Sequence, residues 1–99
     1  MTPDAPITLN EATRRFDLST GGHTAHVEFA RFDGGIAYLH TIVPKALEGR
    51  GIGSRLVKHV LDYALAQRLL VRPDCSFVHA YIDRHAEYQP ISLAHGAAR

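Results

Sequence analysis

Two hydrophobic periods divide this chain. Through residues 13–19, Phe16 and Leu18 alternate with Arg15 and Asp17, the period-two pattern of a strand with one buried face. Gly21-Gly22 reads as a turn. Residues 24–32 resume the alternation, with Ala25, Val27 and Phe29 on one side and His26, Glu28 and Ala30 on the other. Phe32 falls out of phase, which places a bulge or the strand's end nearby. Asp33-Gly34-Gly35 is a hairpin signal. Residues 36–43 are apolar on both faces: Ile36, Tyr38 and Ile42 on one, with His40 among them, and Ala37, Leu39 and Val43 on the other. That pattern predicts a central strand covered on both sides, stopped by Pro44.

The period then becomes helical. Ile52, Leu56, Val57, Val60, Leu61, Ala64 and Leu65 share one face, and Arg55, Lys58, His59 and Asp62 the other. Leu69-Leu70-Val71 forms a short fourth strand closed by Pro73. The strand–helix–strand order predicts a parallel pair joined by a right-handed crossover. A second helix is expected from Asp74 or Cys75 to about His85, with Phe77/Tyr81 and Val78/Ile82 paired at i,i+4. The stretch 89–99 carries Pro90 and Gly96 and little pattern, so it reads as a frayed tail with one packed turn around Ile91. The expected fold is α+β: an antiparallel meander, one parallel β-α-β crossover and two main helices. The domain is expected over 13–90, between a lead-in at 1–12, disordered through Pro6, and a tail at 91–99.

Composition narrows the functional classes. With 99 residues the chain is one domain, and a net charge of +1 gives no electrostatic case for nucleic acid. No apolar run is long enough to span a membrane. Residues 1–6 have neither the basic flank nor the apolar stretch of a signal peptide. Cys75 is the single cysteine, so no internal disulfide forms, which fits a cytoplasmic location.

The candidate chemistry begins at Glu48-Gly49-Arg50-Gly51-Ile52-Gly53-Ser54, three alternate glycines running into the long helix. Glycine permits positive φ and close approach to the backbone. A helix N-terminus offers unpaired N–H groups and the positive end of the dipole. The combination suits a phosphate. It has neither the Lys-Ser/Thr ending of a P-loop nor the dinucleotide fingerprint. The plain alternative is a tight connection between strand and helix.

With its flanks, this loop resembles the pyrophosphate-binding loop of the GNAT superfamily, the acetyl-CoA-dependent N-acetyltransferases, whose motif is Gln/Arg-x-x-Gly-x-Gly/Ala. Gly51 and Gly53 take the glycine positions, Glu48 stands where Gln or Arg is usual, and Arg50 is an alternative source of positive charge. The order His40-Thr41-Ile42-Val43-Pro44, the glycine loop, then Pro73-Asp74-Cys75-Ser76-Phe77-Val78-His79-Ala80-Tyr81-Ile82 and His85-Ala86-Glu87-Tyr88 is similar to the short YjdJ-type members. The resemblance covers roughly residues 14–89. It implies an acetyl-CoA site in which the backbone of Ile42 and Val43 pairs with the pantetheine arm. The N–H groups of Gly49, Arg50, Gly51, Ile52, Gly53 and Ser54 would hold the pyrophosphate. It further implies a gap between the splayed ends of the parallel strands for the thioester.

Two side chains are candidates for the chemistry. Cys75, at a helix N-terminus, is a candidate nucleophile, or a small packed residue. His40 is a candidate base, or a hydrogen-bonded strand histidine; Glu28 is a weaker candidate. Tyr81 is either a general acid toward the leaving thiolate or part of the core, and Arg55 is near enough to the loop to reach a coenzyme A phosphate. The histidines show no zinc spacing, His23 and His26 lying on opposite faces, so no metal is expected.

The leading function is amine acetylation. The N-terminal helices and C-terminal hairpin that build the acceptor pocket in larger members have no room here. An open site then serves a protein or peptide amine, or a partner such as a second copy of the chain supplies the wall. A non-catalytic acyl-CoA-binding or sensing module is the rival, and a phosphate-anchored interaction domain a third reading.

Overall fold

The computed structural model describes residues 5–97. Among them are five strands, β1 (Ile7–Asn10), β2 (Arg15–Thr20), β3 (His23–Phe32), β4 (Gly35–Ile42) and β5 (Leu70–Pro73). The helices are α1 (Ile52–Ala66) and α2 (Ser76–Arg84), with 3-10 turns at Lys45–Leu47, Ala86–Ile91 and Leu93–His95. The strands form one sheet in sequential order. The first four are antiparallel, and β4 and β5 are parallel, with α1 in the crossover. The expected α+β meander with one crossover is therefore present.

The alternation in β2 and β3 sorts the two faces as expected. Phe16, Leu18, Ala25, Val27 and Phe29 are buried beneath the apolar side of α1, whose Ile52, Leu56, Val57, Val60, Leu61 and Ala64 are also buried. Phe16 sits among rings, its centroid 5.3 Å from Phe29, 5.2 Å from Tyr63 and 6.3 Å from Tyr38. The Tyr38 hydroxyl donates to the Val60 carbonyl of α1 at 2.5 Å, and burial pushes its pKa well up. A hydroxyl in the core is thereby satisfied, as buried polar groups must be.

Four expectations change. First, Ile7–Asn10 pairs with β2, so the sheet begins inside the stretch read as a lead-in; residues 1–4 lie outside the described residues. Secondly, β3 and β4 shift register between Glu28 and Phe29. Glu28 faces His40 and Phe29 faces Tyr38, leaving Leu39 as an extra residue in β4. This is the bulge, but at Leu39 and not near Phe32; Phe32 lies at the end of β3, opposite Gly35. The bulge turns the alternation over, so Tyr38 points into the core while His40 does not share its face. Thirdly, β4 is buried from Gly35 to Tyr38 but open beyond, with His40 and Ile42 exposed. Both helices pack on one side of the sheet, and the other side carries Arg15, His26, Glu28 and Arg72. Fourthly, the tail is packed through residue 97. Ser92 is fully buried and bridges Val71 of β5 in parallel, and the Tyr88 hydroxyl donates to Asp62 of α1 at 2.7 Å.

Gly35 is required by crowding. A Cβ there would overlap the Phe32 ring and lie 2.7 Å from the Leu70 carbonyl oxygen, so the β3–β4 turn could not close against β5 with a larger residue.

His59, on α1, and His26, on β3, have pKa values below the ordinary histidine range. Partial burial is the largest cause for both, aided by Arg55 beside His59 and Arg15 beside His26. The folded state thus favours the neutral rings. Their contribution to stability is complete above the unfolded pKa of about 6.5 and is lost as pH falls through the lower folded values. The thermal midpoint should drop between about pH 7 and pH 5, and drop less in His59→Gln; an identical slope in the variant would remove His59 from the account.

Candidate active site

The site exists because β4 outlasts β5. The two pair from Gly35↔Leu70 to Tyr38↔Pro73. Proline then ends β5, and the chain turns into α2 while β4 continues to Ile42. Just past the paired strands, the Cys75 N–H donates to the Tyr38 carbonyl at 2.9 Å. Beyond it the strand and α2 diverge. Open α/β sheets bind ligands in such gaps past the strands' carboxyl ends.

Two cavities follow the gap. One, of about 410 Å³, is lined by Thr41, Val43, Glu48, Gly49, Gly51, Ile52, Gly53, Ser54 and Phe77. The other, of about 520 Å³, is lined by Leu39, His40, Thr41, Ile42, Asp74, Cys75, Ser76 and Phe77. Thr41 and Phe77 belong to both walls, so the cavity at the glycine loop and the one at Cys75 and His40 adjoin each other. Neither residue was singled out for chemistry in the sequence. The i,i+4 pairing groups Phe77 with Tyr81, yet Phe77 is 42% exposed while Tyr81 is buried.

At the loop end, Gly49 and Gly51 have φ of +80° and +74°, a left-handed conformation that side chains with a Cβ resist. Gly51 is the N-cap of α1, and no side chain caps that helix. The first-turn N–H groups thus lack the side-chain acceptor that most helices supply, and Ile52, Gly53 and Ser54, which carry them, line the cavity. Space at Gly53 is tight: a Cβ there would lie 3.1 Å from the Phe77 ring and 3.5 Å from Val43, so the exposed ring would have to shift slightly. This cradle fits an anionic phosphate group on a flexible arm. Glu48 also lines it, an unhelpful charge. Arg50 is exposed and outside the wall. Arg55 points elsewhere, lining a smaller cavity with Ile7, Lys58, His59 and Asp62.

At the other end, Cys75 is the N-cap of α2 and 8% exposed, its thiol donating to the Thr41 hydroxyl at 3.4 Å. Asp74 is drawn aside by Arg72 at 2.8 Å. His40 is exposed, opposite Glu28 in the sheet. The bulge that removed His40 from the core places it on the cleft wall with Cys75. Ile42, half-exposed, lines this end, and Val43 the loop end. The described residues therefore bring the loop candidates, Ile42, Val43, His40 and Cys75 to these two cavities, but not Arg50, Arg55, Glu28 or Tyr81.

No helix among the described residues is long and apolar enough to cross a membrane. A family model of GCN5-related N-acetyl-transferases matches residues 15–91, a span that holds the cleft, the glycine loop and both candidate side chains. The chain belongs to the GCN5-related N-acetyl-transferase family.

Proposed function

We propose that this chain is an acetyl-CoA-dependent N-acetyltransferase whose acceptor is an amine of protein or peptide class reaching an open site. The observation that carries the reading is the pair of adjoining cavities, one at an uncapped helix N-terminus with two left-handed glycines and one lined by His40 and Cys75. A bound acetyl-CoA would supply the activated acetyl group. The chain's own residues do the rest. The loop N–H groups from Gly49 to Ser54 hold the pyrophosphate, and the backbone of Ile42 and Val43 orients the arm. Thr41 and Phe77 form the waist of the cleft. His40 takes the proton that the amine must lose. Its exposure leaves it within reach of a large acceptor.

Cys75 serves either as a nucleophile that carries the acetyl group or as the packed wall beside the thioester. Intact mass after incubation with acetyl-CoA separates the two: an acetyl adduct that disappears in Cys75→Ala supports the covalent route. An unmodified protein, with turnover kept in Cys75→Ala, supports the wall. The function itself is tested by acetyl-CoA turnover against a peptide panel carrying lysines and free N-termini. Tight coenzyme A binding with no transfer to any acceptor would favour a non-catalytic acyl-CoA-binding module, a reading that Glu48 in the cradle supports.

Glu48 gives a second test. Removing its charge relieves repulsion worth about 1 kcal/mol at contact distance in water. Glu48→Gln should therefore tighten coenzyme A binding about three- to tenfold by calorimetry. Unchanged affinity would place the pyrophosphate elsewhere.

A further inference from the structure

The outer side of α2 carries a cluster that the cleft does not use. His79 and Asp83 stand one turn apart, with His79 Nδ1 3.3 Å from Asp83 Oδ2. The turn Leu93–His95 brings a third group: His95 Nε2 lies 2.7 Å from Asp83 Oδ1. The two imidazole centroids are 4.8 Å apart, and one donor atom from each of the three residues lies within 4.8 Å of the others. Two imidazole nitrogens and a carboxylate oxygen form a ligand set suited to zinc and its neighbours, and too nitrogen-rich for magnesium or calcium.

The surroundings favour the same use. The second ring nitrogen of His95, Nδ1, is 2.6 Å from Ser92 Oγ. Ser92 is fully buried and held by its bridge to Val71. Without a metal, Nε2–H donates to Asp83; an ion would displace that proton, and Nδ1–H donating to the Ser92 hydroxyl would then orient the ring, as outer partners do for histidine ligands in metal sites. The same residues could be read as a Ser–His–Asp relay, but a nucleophile must meet its substrate, and Ser92 has no exposed surface. His79 and Asp83 are about half exposed, leaving an entry path and room for water as a fourth ligand. With bonds of about 2.0–2.1 Å, tetrahedral donors stand about 3.3 Å apart. The His79–Asp83 pair already has that separation, and the His95–Asp83 pair needs to open by only a fraction of an ångström.

We propose that His79, Asp83 and His95 bind a divalent ion of the zinc class, which clips the C-terminal turn to α2. Such a site departs from the sequence expectation of no metal, which rested on histidine spacing; His95 lies in the stretch expected to be a frayed tail.

The full chain, stripped with chelator and dialysed, is titrated with Zn²⁺ by calorimetry, with Mg²⁺ as the control. One Zn²⁺ per chain is expected, with affinity at least about tenfold lower in His79→Ala and in His95→Ala and unchanged in His23→Ala. Zn²⁺ should also raise the thermal midpoint of the parent chain but not of His79→Ala, a variant whose exposed side chain leaves folding intact. Absence of binding, or equal binding by the parent and both His79→Ala and His95→Ala, would overturn the proposal. So would equal affinity for Mg²⁺. Coenzyme A binding is independent of these outcomes.

Discussion

Phe16→Ala is expected to lower the folding free energy by about 3–5 kcal/mol, measured by urea denaturation. The ring has no exposed surface. It touches β3 through Phe29, β4 through Tyr38 and α1 through Tyr63 and His59. Alanine removes contacts with all three at once, and strands held by hydrogen bonds collapse little around the void. Against a total of about 5–15 kcal/mol for a domain, much of the population would unfold at elevated temperature. A loss below about 1 kcal/mol would show that the sheet repacks freely at this point.

Gly51→Val is expected to weaken coenzyme A binding by tenfold or more while costing only about 1–2 kcal/mol of stability. The position has φ of +74° and open space around its Cβ direction, so the penalty is conformational and not a clash. Valine, branched at Cβ, resists the left-handed region most strongly. The loop relieves that strain by changing its backbone, which re-aims the N–H groups opening α1. Gly22→Val is the control. Its φ is +80°, also with open space, but it lies in the β2–β3 turn, so stability should fall with affinity unchanged. Equal affinity in parent and Gly51→Val would detach the glycine loop from ligand binding.

What the sequence conveyed depended on whether each element carries its own period. α1 and β3 are long enough for the pattern to repeat, and β5 is bracketed by the helix before it and a proline after. β1 offers only Ile7 and Leu9 toward the core, too few for a period to emerge. The C-terminal turns hold through single side-chain bonds, Tyr88 to Asp62 and Ser92 to His95, whose partners are distant in sequence or outside any regular repeat. The glycine loop was legible because its spacing is local. The face of His40 was not, because a bulge is a property of two strands in register, and Leu39 looks like any other strand residue. The exposure of Phe77 was hidden for a related reason: helical spacing identifies neighbours on α2 but not what the helix faces.

The extra residue at Leu39 has an evolutionary consequence. By reversing inside and outside halfway along β4, it divides one strand into two independently variable segments. Substitutions from Gly35 to Tyr38 are felt as packing defects, whereas those from His40 to Ile42 change the lining of the cleft at little cost to the core. New cavity linings can therefore be sampled within a central strand, a place where most folds allow almost no variation.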